Sequence, residues 1–314
     1  MAKLPASMFF TSLIALALHA GPADAQLART FLSANGSDSN TCARAAPCRT
    51  LQVAHNKTNA GGEINVLDPA GYGAVTIDKS ISIVNEGVGS AGILVTGGGT
   101  GITINGGVND KINLRGLIIE GGGVGQHGIV FNAGKSLTIE NCVIRNMTND
   151  GIQFLPTASS SLAVSNSFVA DNGNIGIIVY PNGSGAATAE FNRVEVYNSG
   201  NQGILVAGGT SNGSVTATIA DSVAARNANS GFLVTLPGAA SVSLMVARSV
   251  SSNNGTGISS NGGANATVRA VQSIITGNNF GWSTTSGGVF LSYGDNAIDG
   301  NADDGGIPPL VSKR

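Results

Sequence analysis

The chain has 314 residues, of which 42% are hydrophobic, 46 are glycine and only 11% are charged. A formal net charge of −2, with no cluster of lysine or arginine, argues against nucleic acid or an anionic membrane as a partner. The length allows a sizeable core, and the few charges imply a surface made largely of Ser, Thr, Asn and Gly.

Residues 1–25 have the pattern of a secretory signal peptide. Lys3 precedes an apolar stretch from Met8 to Leu18, and small residues precede a predicted cleavage site at Ala25-Gln26. The apolar stretch is too short to span a bilayer, and no second apolar span follows it. The sequence therefore predicts export to the periplasm or beyond, with no transmembrane segment in the mature chain.

Residues 26–62 are predicted to contain a strand, a disulfide loop and a helix. Cys42 and Cys48 lie six positions apart in a turn-rich stretch, and export to an oxidising compartment favours a disulfide between them. A helix is predicted from Pro47 to about Asn59, ended by Gly61-Gly62. Its apolar residues at helical spacing are Leu51, Ala54 and His55.

A glycine followed by a large apolar residue recurs along the rest of the chain at intervals of 23 to 28 residues. These glycines are Gly101, Gly128, Gly151, Gly176, Gly203, Gly231, Gly257 and Gly281. An asparagine precedes most of them by a few residues, at Asn146, Asn172, Asn198, Asn227, Asn253 and Asn278. Another turn-type residue comes earlier in most repeats, at Asn141, Asn166, Asn192 and Asp221. Each repeat therefore has the pattern strand, turn, strand, turn, strand.

Three short strands per repeat, with Gly and Asn at the bends and no helical period, predict a right-handed parallel β-helix. Asparagine tolerates the left-handed backbone of a tight corner. Successive coils stack about 4.8 Å apart, so equivalent residues form columns along the rod. One apolar column is predicted to contain Ile129, Ile152, Ile177, Ile204, Phe232, Ile258 and Trp282. Parts of another are Leu137, Ile139, Leu162, Val164, Ile219, Val246 and Val268.

The predicted fold is all-β and consists of a single domain. Residues 63–288 form the β-helix, and the helix within residues 26–62 is expected to cap its open apolar end. Residues 289–314 are predicted to form a C-terminal capping strand, at Val289–Asn296, and a tail that leaves the rod at Pro308-Pro309.

Further motifs accompany the coils with Gly-Ile phrases: Asn35-Gly36-Ser37-Asp38, Cys42, Pro47-Cys48-Arg49-Thr50-Leu51 and Asp68-Pro69-Ala70-Gly71-Tyr72. In these residues the chain resembles secreted bacterial proteins of the right-handed parallel β-helix, pectin-lyase-like superfamily. The resemblance covers nearly all of the mature chain. It implies the fold but no single activity, because the superfamily contains pectate lyases, polygalacturonases, other polysaccharide lyases, epimerases, phage tailspikes and proteins with no known reaction.

Aligning the coils on the asparagine before each glycine predicts one column of charged and aromatic residues. Its members are Glu120, Arg145, Asp171, Tyr197 and Arg226. One interpretation is a ladder of alternating charges that stabilises the stack by a few tenths of a kcal/mol per exposed pair. The other is a groove in which arginine and tyrosine hold a sugar acid, so these five residues are the candidate substrate-binding residues.

Catalytic residues are harder to assign. A hydrolase of this fold needs clustered carboxylates, but the only Asp-Asp pair, Asp303-Asp304, lies beyond the repeats, and His127 occupies a corner position. A lyase of the pectate type needs acidic calcium ligands and an arginine base. Asp299, Asn301 and Asp303 resemble the start of a calcium loop, although Asp304 and Leu310 stand where that loop needs Gly and Glu. Calcium and a polar capping turn are therefore the alternatives there.

Two further features lie outside the charged column. Cys142 is predicted to occupy a column with Ser167, Arg193, Ser222, Ser249 and Ser273, and a small corner residue is preferred to a reactive thiol. Alternation places Ile178, Leu205 and Leu233 on the outer face of their strands, where they would form an apolar stripe. That stripe is either covered by a loop or tail or used for self-association.

Three functional hypotheses follow. The first is binding of extracellular or cell-envelope polysaccharide through the charged column, without a complete catalytic set. The second is a polysaccharide lyase or glycoside hydrolase that acts on a glycan containing uronic acid, with Arg145 or Arg226 as base and Glu120 and Asp171 as acid or metal groups. The third is a structural surface protein that assembles through the apolar stripe. Product release, retention on a glycan and oligomeric state distinguish the three.

Overall fold

A computed structural model describes residues 27–237 and 241–312, and the predicted signal peptide lies outside these ranges. Within them the chain forms 28 strands and one helix, α1 (Leu51–Lys57). The strands of the first half are β1 (Leu27–Leu32), β2 (Thr58–Val66), β3 (Ala70–Gly71), β4 (Val75–Ile77), β5 (Ile81–Val84), β6 (Ala91–Leu94), β7 (Thr100–Asn105), β8 (Lys111–Arg115), β9 (Leu117–Glu120), β10 (His127–Ala133), β11 (Ser136–Glu140), β12 (Val143–Arg145), β13 (Ile152–Phe154) and β14 (Ser160–Ala170). Those of the second half are β15 (Ile177–Val179), β16 (Ala187–Tyr197), β17 (Ile204–Ala207), β18 (Val215–Ala220), β19 (Val223–Ala225), β20 (Ser230–Thr235), β21 (Val242–Ala247), β22 (Val250–Ser252), β23 (Thr256–Asn261), β24 (Ala266–Val271), β25 (Ile274–Thr276), β26 (Phe280–Thr285), β27 (Val289–Ser292) and β28 (Ala297–Ile298).

The strands form a parallel β-solenoid of about eight turns, which confirms the predicted fold class. Each coil contributes one strand to a nine-stranded sheet, here called the glycine sheet, which contains β4, β7, β10, β13, β15, β17, β20, β23 and β26. The remaining 19 strands form a second sheet. In each coil this sheet has an upstream part, segment a, and a short downstream part, segment b, separated by a corner. In β14 and β16 the two segments belong to one continuous strand.

The predicted apolar columns are confirmed by the strand register. In the glycine sheet, Ile129 pairs with Ile152 of the next coil. Ile152 pairs in the same way with Ile177, and Ile177 with Ile204, and all four side chains are fully buried. The column continues through Phe232 and Ile258 to Trp282, which is half-buried at the end of the sheet. Segment a supplies the opposite wall of the core, where Leu137 pairs with Leu162 and Ile139 with Val164.

The repeated glycines are needed for space rather than for a bend. They were predicted to lie at bends, but none of them has a positive φ, so these positions are not left-handed corners. A Cβ atom on Gly176 would lie 2.7 Å from the carbonyl oxygen of Gly203 and closer still to the Val196 side chain. The same crowding, by the next coil and by a side chain of segment b, recurs at Gly128, Gly151 and Gly257. Glycine recurs because the backbone of each coil lies so close to the next coil, where it enters the glycine sheet, that no Cβ atom fits.

The left-handed corners are made by other residues. The corner between segments a and b, here called the first corner, has φ between 47° and 54° at Asn141, Asn166, Arg193, Asp221, Arg248 and Gln272. The second corner follows segment b, with φ between 53° and 58° at Asn146, Asp171, Asn198, Arg226 and Asn253. The prediction was therefore wrong by one residue at Asn192, because Arg193 makes that corner. It was also wrong at Asn172, Asn227 and Asn278, which come one position after the second corner.

Those later asparagines form a buried ladder. Asn227 accepts the backbone N–H of Ser199 through Oδ1, and Asn254 accepts the backbone N–H of Asn227 in the next coil at 2.9 Å. The side-chain amides of Asn227, Asn254 and Asn278 each donate to the Oδ1 of the asparagine in the following coil, so that the series ends at Asn301. Asp304 accepts from Asn301 and ends the ladder. Buried backbone donors that the corners leave unpaired are satisfied in this way.

A ladder of serines follows the first corner in the same manner. Ser249 Oγ accepts the backbone N–H of Ser222, and Ser167 Oγ accepts that of Cys142 at 3.1 Å. The occupant of this column in the β16 coil is Val194 and not Arg193, which is the corner residue. Cys142 is buried, and burial raises the pKa of its thiol to about 11. It therefore behaves as a small core residue, as the preferred interpretation holds.

The N-terminal region contains the expected disulfide and a shorter helix than predicted. Cys42 and Cys48 are bonded and fully buried. Helix α1 begins after Thr50, whose hydroxyl accepts the backbone N–H of Val53, and ends where β2 begins. Gly61-Gly62 therefore lie within a strand. The helix buries Leu51, Ala54 and His55 beside β1, β2 and β4, while its role as a cap stays a prediction.

The C-terminal tail stays against the rod instead of leaving it. Ser292 at the end of β27 donates its backbone N–H to Pro309 O and accepts that of Val311, both at 2.9 Å. Ile307 and Leu310 of the tail are exposed. No helix in the described part of the chain is long and apolar enough to cross a membrane.

Buried His55 predicts a pH-dependent stability. Burial lowers its pKa, as does nearby Lys79, against the opposing effects of Asn56 and Asp78. A histidine whose pKa is lower in the folded state binds more protons when unfolded, so stability is complete above the unfolded pKa of about 6.5 and is lost as the pH falls through it. We expect the urea midpoint to fall between pH 7.5 and pH 5.5.

The urea midpoint of the His55→Gln variant should fall less over the same pH interval, whatever the stability of this variant at pH 7.5. The wild type is the matched reference, since His127 is present in both proteins. An equal fall in the two proteins would contradict the assignment to His55.

Candidate functional site

The outer face of segment b carries the residues of the predicted charged column, but in two columns. Arg145 pairs in register with Glu120 on one side and Ala170 on the other, and Ala170 pairs with Tyr197. Asp171 and Arg226 follow one position later, at the second corner. The single predicted column is therefore wrong. The alignment used asparagines that belong alternately to the corner and to the buried ladder, which shifts every second coil by one residue.

Glu120 and Arg145 form a hydrogen-bonded ion pair on this face. Arg145 donates from Nε to Glu120 Oε2 at 2.7 Å, and the other carboxylate oxygen accepts from Asn146 Nδ2 and from the backbone N–H of Gly122. Partial burial would raise the pKa of Glu120, but these hydrogen bonds lower it below the ordinary value. Glu120 is thus an ionised acceptor that keeps Arg145 in position.

An aromatic pair lies beside this ion pair. The rings of Phe168 and Tyr197 are 5.7 Å apart, and both side chains are half-buried. The guanidinium of Arg226 lies over the Tyr197 ring, 5.8 Å from its centroid. Burial raises the pKa of Tyr197, as do the charge of Glu195 and its hydrogen bond to the phenol. The phenol therefore stays protonated at neutral pH.

Sequence reasoning missed Phe168 and Glu195. Both occupy the outer position of segment b nearest the first corner, in register with Val143 and Val223. Alternation outward from buried Val169 and Val196 would have placed them there. They were missed because the search was restricted to one column.

The remaining charged residues of this face are differently engaged. Asp171 accepts a hydrogen bond from Asn198 Nδ2 at 2.9 Å, along the second corner. Arg226 and Asp171 are both exposed. Among the residues that the structure describes, Arg226 has no carboxylate partner and contacts the Tyr197 ring instead.

The calcium candidates are used by the C-terminal turn. Asn301 Oδ1 accepts two hydrogen bonds from Asn278, its backbone N–H and its amide. Asp299 accepts the backbone N–H of Gly300, and Asp303 that of Gly305. Over residues 27–237 and 241–312, no group of three or more His, Cys, Asp or Glu could hold a metal ion. The geometry thus favours the polar capping turn.

His127 lies on the glycine sheet, away from the segment b face. Its Nδ1 is 3.8 Å from Asp150 Oδ2, too long for a hydrogen bond, and burial lowers the pKa of the histidine despite the nearby charge. Buried Asp150 accepts from Gln153, Asn174 and the backbone N–H of Ile175 instead. His127 therefore lies beside a buried carboxyl group that is hydrogen-bonded to other residues and not to the imidazole.

The apolar stripe also lies on the glycine sheet. Ile178, Leu205 and Leu233 are in register and face outward, as predicted. Each is half-buried rather than fully exposed. Self-association through this stripe stays a prediction.

The fold and its ladders define a class, the parallel β-solenoids. Comparison with known proteins gives the family: the profile described as right handed beta helix region matches residues 55–219, just over half of the chain. The protein therefore belongs to the right-handed β-helix family. No curated protein matches the sequence significantly.

Two solved structures resemble the whole fold. A pectate lyase, Pel9A, superposes with a TM-score of 0.61 at 17% identity, over 91% of this chain and 77% of its own. XylC, solved in complex with xylose, gives 0.56 at 9% identity, over 82% and 69%. At these identities the likeness shows the shared fold alone.

Proposed function

We propose that the protein binds polysaccharide through the outer face of segment b. The observation that carries the proposal is the pair of Phe168 and Tyr197 on the outside of the rod, with Arg226 over the Tyr197 ring. An aromatic ring offers an apolar face to the C–H groups of a sugar, and arginine offers several donors to its oxygens. The fold likeness to a pectate lyase and to a protein solved with xylose supports a carbohydrate ligand.

The chemistry of this face favours binding over cleavage. A general acid needs a carboxyl group that is protonated near neutral pH, whereas hydrogen bonds from Asn146, Gly122 and Arg145 lower the pKa of Glu120. A lyase base needs a side chain that is free to reach the substrate, whereas Arg145 is held in an ion pair with Glu120 at 2.7 Å. We infer that binding occurs outside the cytoplasm, because the predicted signal peptide directs the chain to export.

The test uses the mature protein from Gln26 and affinity electrophoresis on linear polysaccharides. Tyr197→Ala is expected to weaken retention on the bound glycan about 10-fold, because it removes one stacking ring and the contact that positions Arg226. Arg226→Gly should weaken it less, and this substitution suits the left-handed backbone of the corner.

Arg248→Gly is the matched control, since Arg248 is also an arginine at a left-handed corner but pairs with Asp221. It should leave retention unchanged. Equal retention of the wild type and the Tyr197→Ala variant by the polysaccharide would contradict the proposal. Release of reducing or unsaturated ends, abolished by Arg145→Ala, would replace it with the enzyme hypothesis.

A further inference from the structure

A groove runs along the first corner beside the aromatic pair. Two open depressions of about 530 and 390 Å³ adjoin at Asn141. The corner positions along them belong to five successive coils, and they are occupied by Asn85, Gly116, Asn141, Asn166 and Arg193. At about 4.8 Å per coil, the first-corner groove is about 19 Å long and parallel to the rod.

The middle of this first-corner groove offers unused hydrogen-bonding groups. Asn141 and Asn166 are exposed, and neither side-chain amide bonds to another residue in the described ranges. By contrast, two amides at the second corner are occupied, since Asn146 donates to Glu120 and Asn198 to Asp171. Two planar amides on adjacent coils therefore present donors and acceptors at the spacing of the coils.

The wall beside these amides is apolar and aromatic. Val143 and Phe168 line the depression that contains Asn141 and Asn166. Phe168 thus has contacts on two sides, with Tyr197 on the segment b face and with the first-corner groove. The groove combines an aromatic ring with amides, which are complementary to the two faces of a sugar unit.

The charges along the groove do not favour a polyanion. Its lining contains Arg115 and Arg193, opposed by Glu86 and Glu195. A further carboxylate, that of Glu140, lies 3.8 Å from Arg115. A site for a chain of uronic acids would need an excess of positive charge to offset the repeated carboxylates.

We propose that the first-corner groove binds an unbranched, uncharged glycan that lies extended along the rod. The amides of Asn141 and Asn166 bond to hydroxyl groups of successive sugar units, and the Phe168 ring packs against one unit. A polymer fits this direction because equivalent protein groups repeat from coil to coil. The inference rests on the proposed function. It adds the path of the bound glycan along the rod and the class of glycan.

The test compares neutral linear glycans, namely unsubstituted xylan, mannan and mixed-linkage glucan, with polygalacturonate and alginate. We expect a neutral glycan to be retained most strongly, with retention unchanged between 50 and 500 mM salt, roughly the range over which screening removes surface attraction. The double variant Asn141→Gly/Asn166→Gly should weaken this retention about 10-fold through the loss of two hydrogen-bonding amides. Glycine keeps both left-handed corners unstrained.

Asn253→Gly is the matched control, because it makes the same substitution at a left-handed corner outside the groove, and it should change nothing. Strongest retention of a uronate polymer, or a loss of retention with salt, would overturn the inference. Normal retention by the double variant together with weak retention by Tyr197→Ala would overturn the groove but leave the proposed function standing. Failure of the wild type to retain any of the five glycans would overturn both.

Discussion

Gly176→Ala is expected to lower the free energy of unfolding by about 3 kcal/mol, the upper end of the usual cost of overpacking. The added Cβ would meet the carbonyl oxygen of Gly203 at 2.7 Å and would overlap the buried side chain of Val196. Neither can move freely, because the carbonyl belongs to the next coil and the β-branched valine is held in the core. Urea denaturation followed by circular dichroism measures the loss.

Gly97→Ala is the matched control for this substitution. A Cβ at Gly97 would have no heavy atom within 4 Å, and the φ of this residue is not positive. We therefore expect no loss, or a small gain from the reduced freedom of the unfolded chain. Equal stability of the two variants would show that the repeated glycine is not required by close packing.

The repeat could be recognised from sequence because it lies on the core. The interval between glycines reports the length of one coil, and the apolar residue that follows each glycine reports one buried column, so fold class and register follow together. The reason for glycine did not follow. A bend and a close approach both select glycine, and only the position of the next coil distinguishes them.

The corners were less predictable, because asparagine has two roles in adjacent positions. At Asn253-Asn254 the first makes a left-handed corner and the second joins the buried ladder. Coils with one asparagine use either position: Asn198 is a corner followed by Ser199, and Asn227 is a ladder residue preceded by Arg226. Composition alone does not separate the two, so an alignment on asparagine shifts by one residue.

This shift limited the prediction of the site. Charged residues were correctly placed near one face, because strong signals such as Arg145 and Tyr197 belong to segment b in either alignment. Phe168 was overlooked because it lies outside the one predicted column, although alternation from buried Val169 places it on the same outer face. The free amides of Asn141 and Asn166 depend on contacts that a sequence does not contain.

The buried asparagine ladder holds successive coils together by hydrogen bonds that water cannot replace. Asn254 is buried and accepts from both the backbone and the amide of Asn227, each at 2.9 Å. Its own amide donates to Ala224 O and to Asn278 Oδ1. Removing the side chain leaves several buried polar groups without partners, and each such group costs about 1–3 kcal/mol.

Asn254→Gly is accordingly expected to lower the free energy of unfolding by about 4 kcal/mol, the sum of at least two such losses and the entropy of glycine. Asn253→Gly is the matched control, since it changes the neighbouring asparagine to the same residue. Asn253 is exposed at a φ of 57°, which glycine adopts without strain, so its loss should be close to zero. Similar urea midpoints for the two variants would mean that the ladder contributes little, and that the apolar columns alone hold the coils in register.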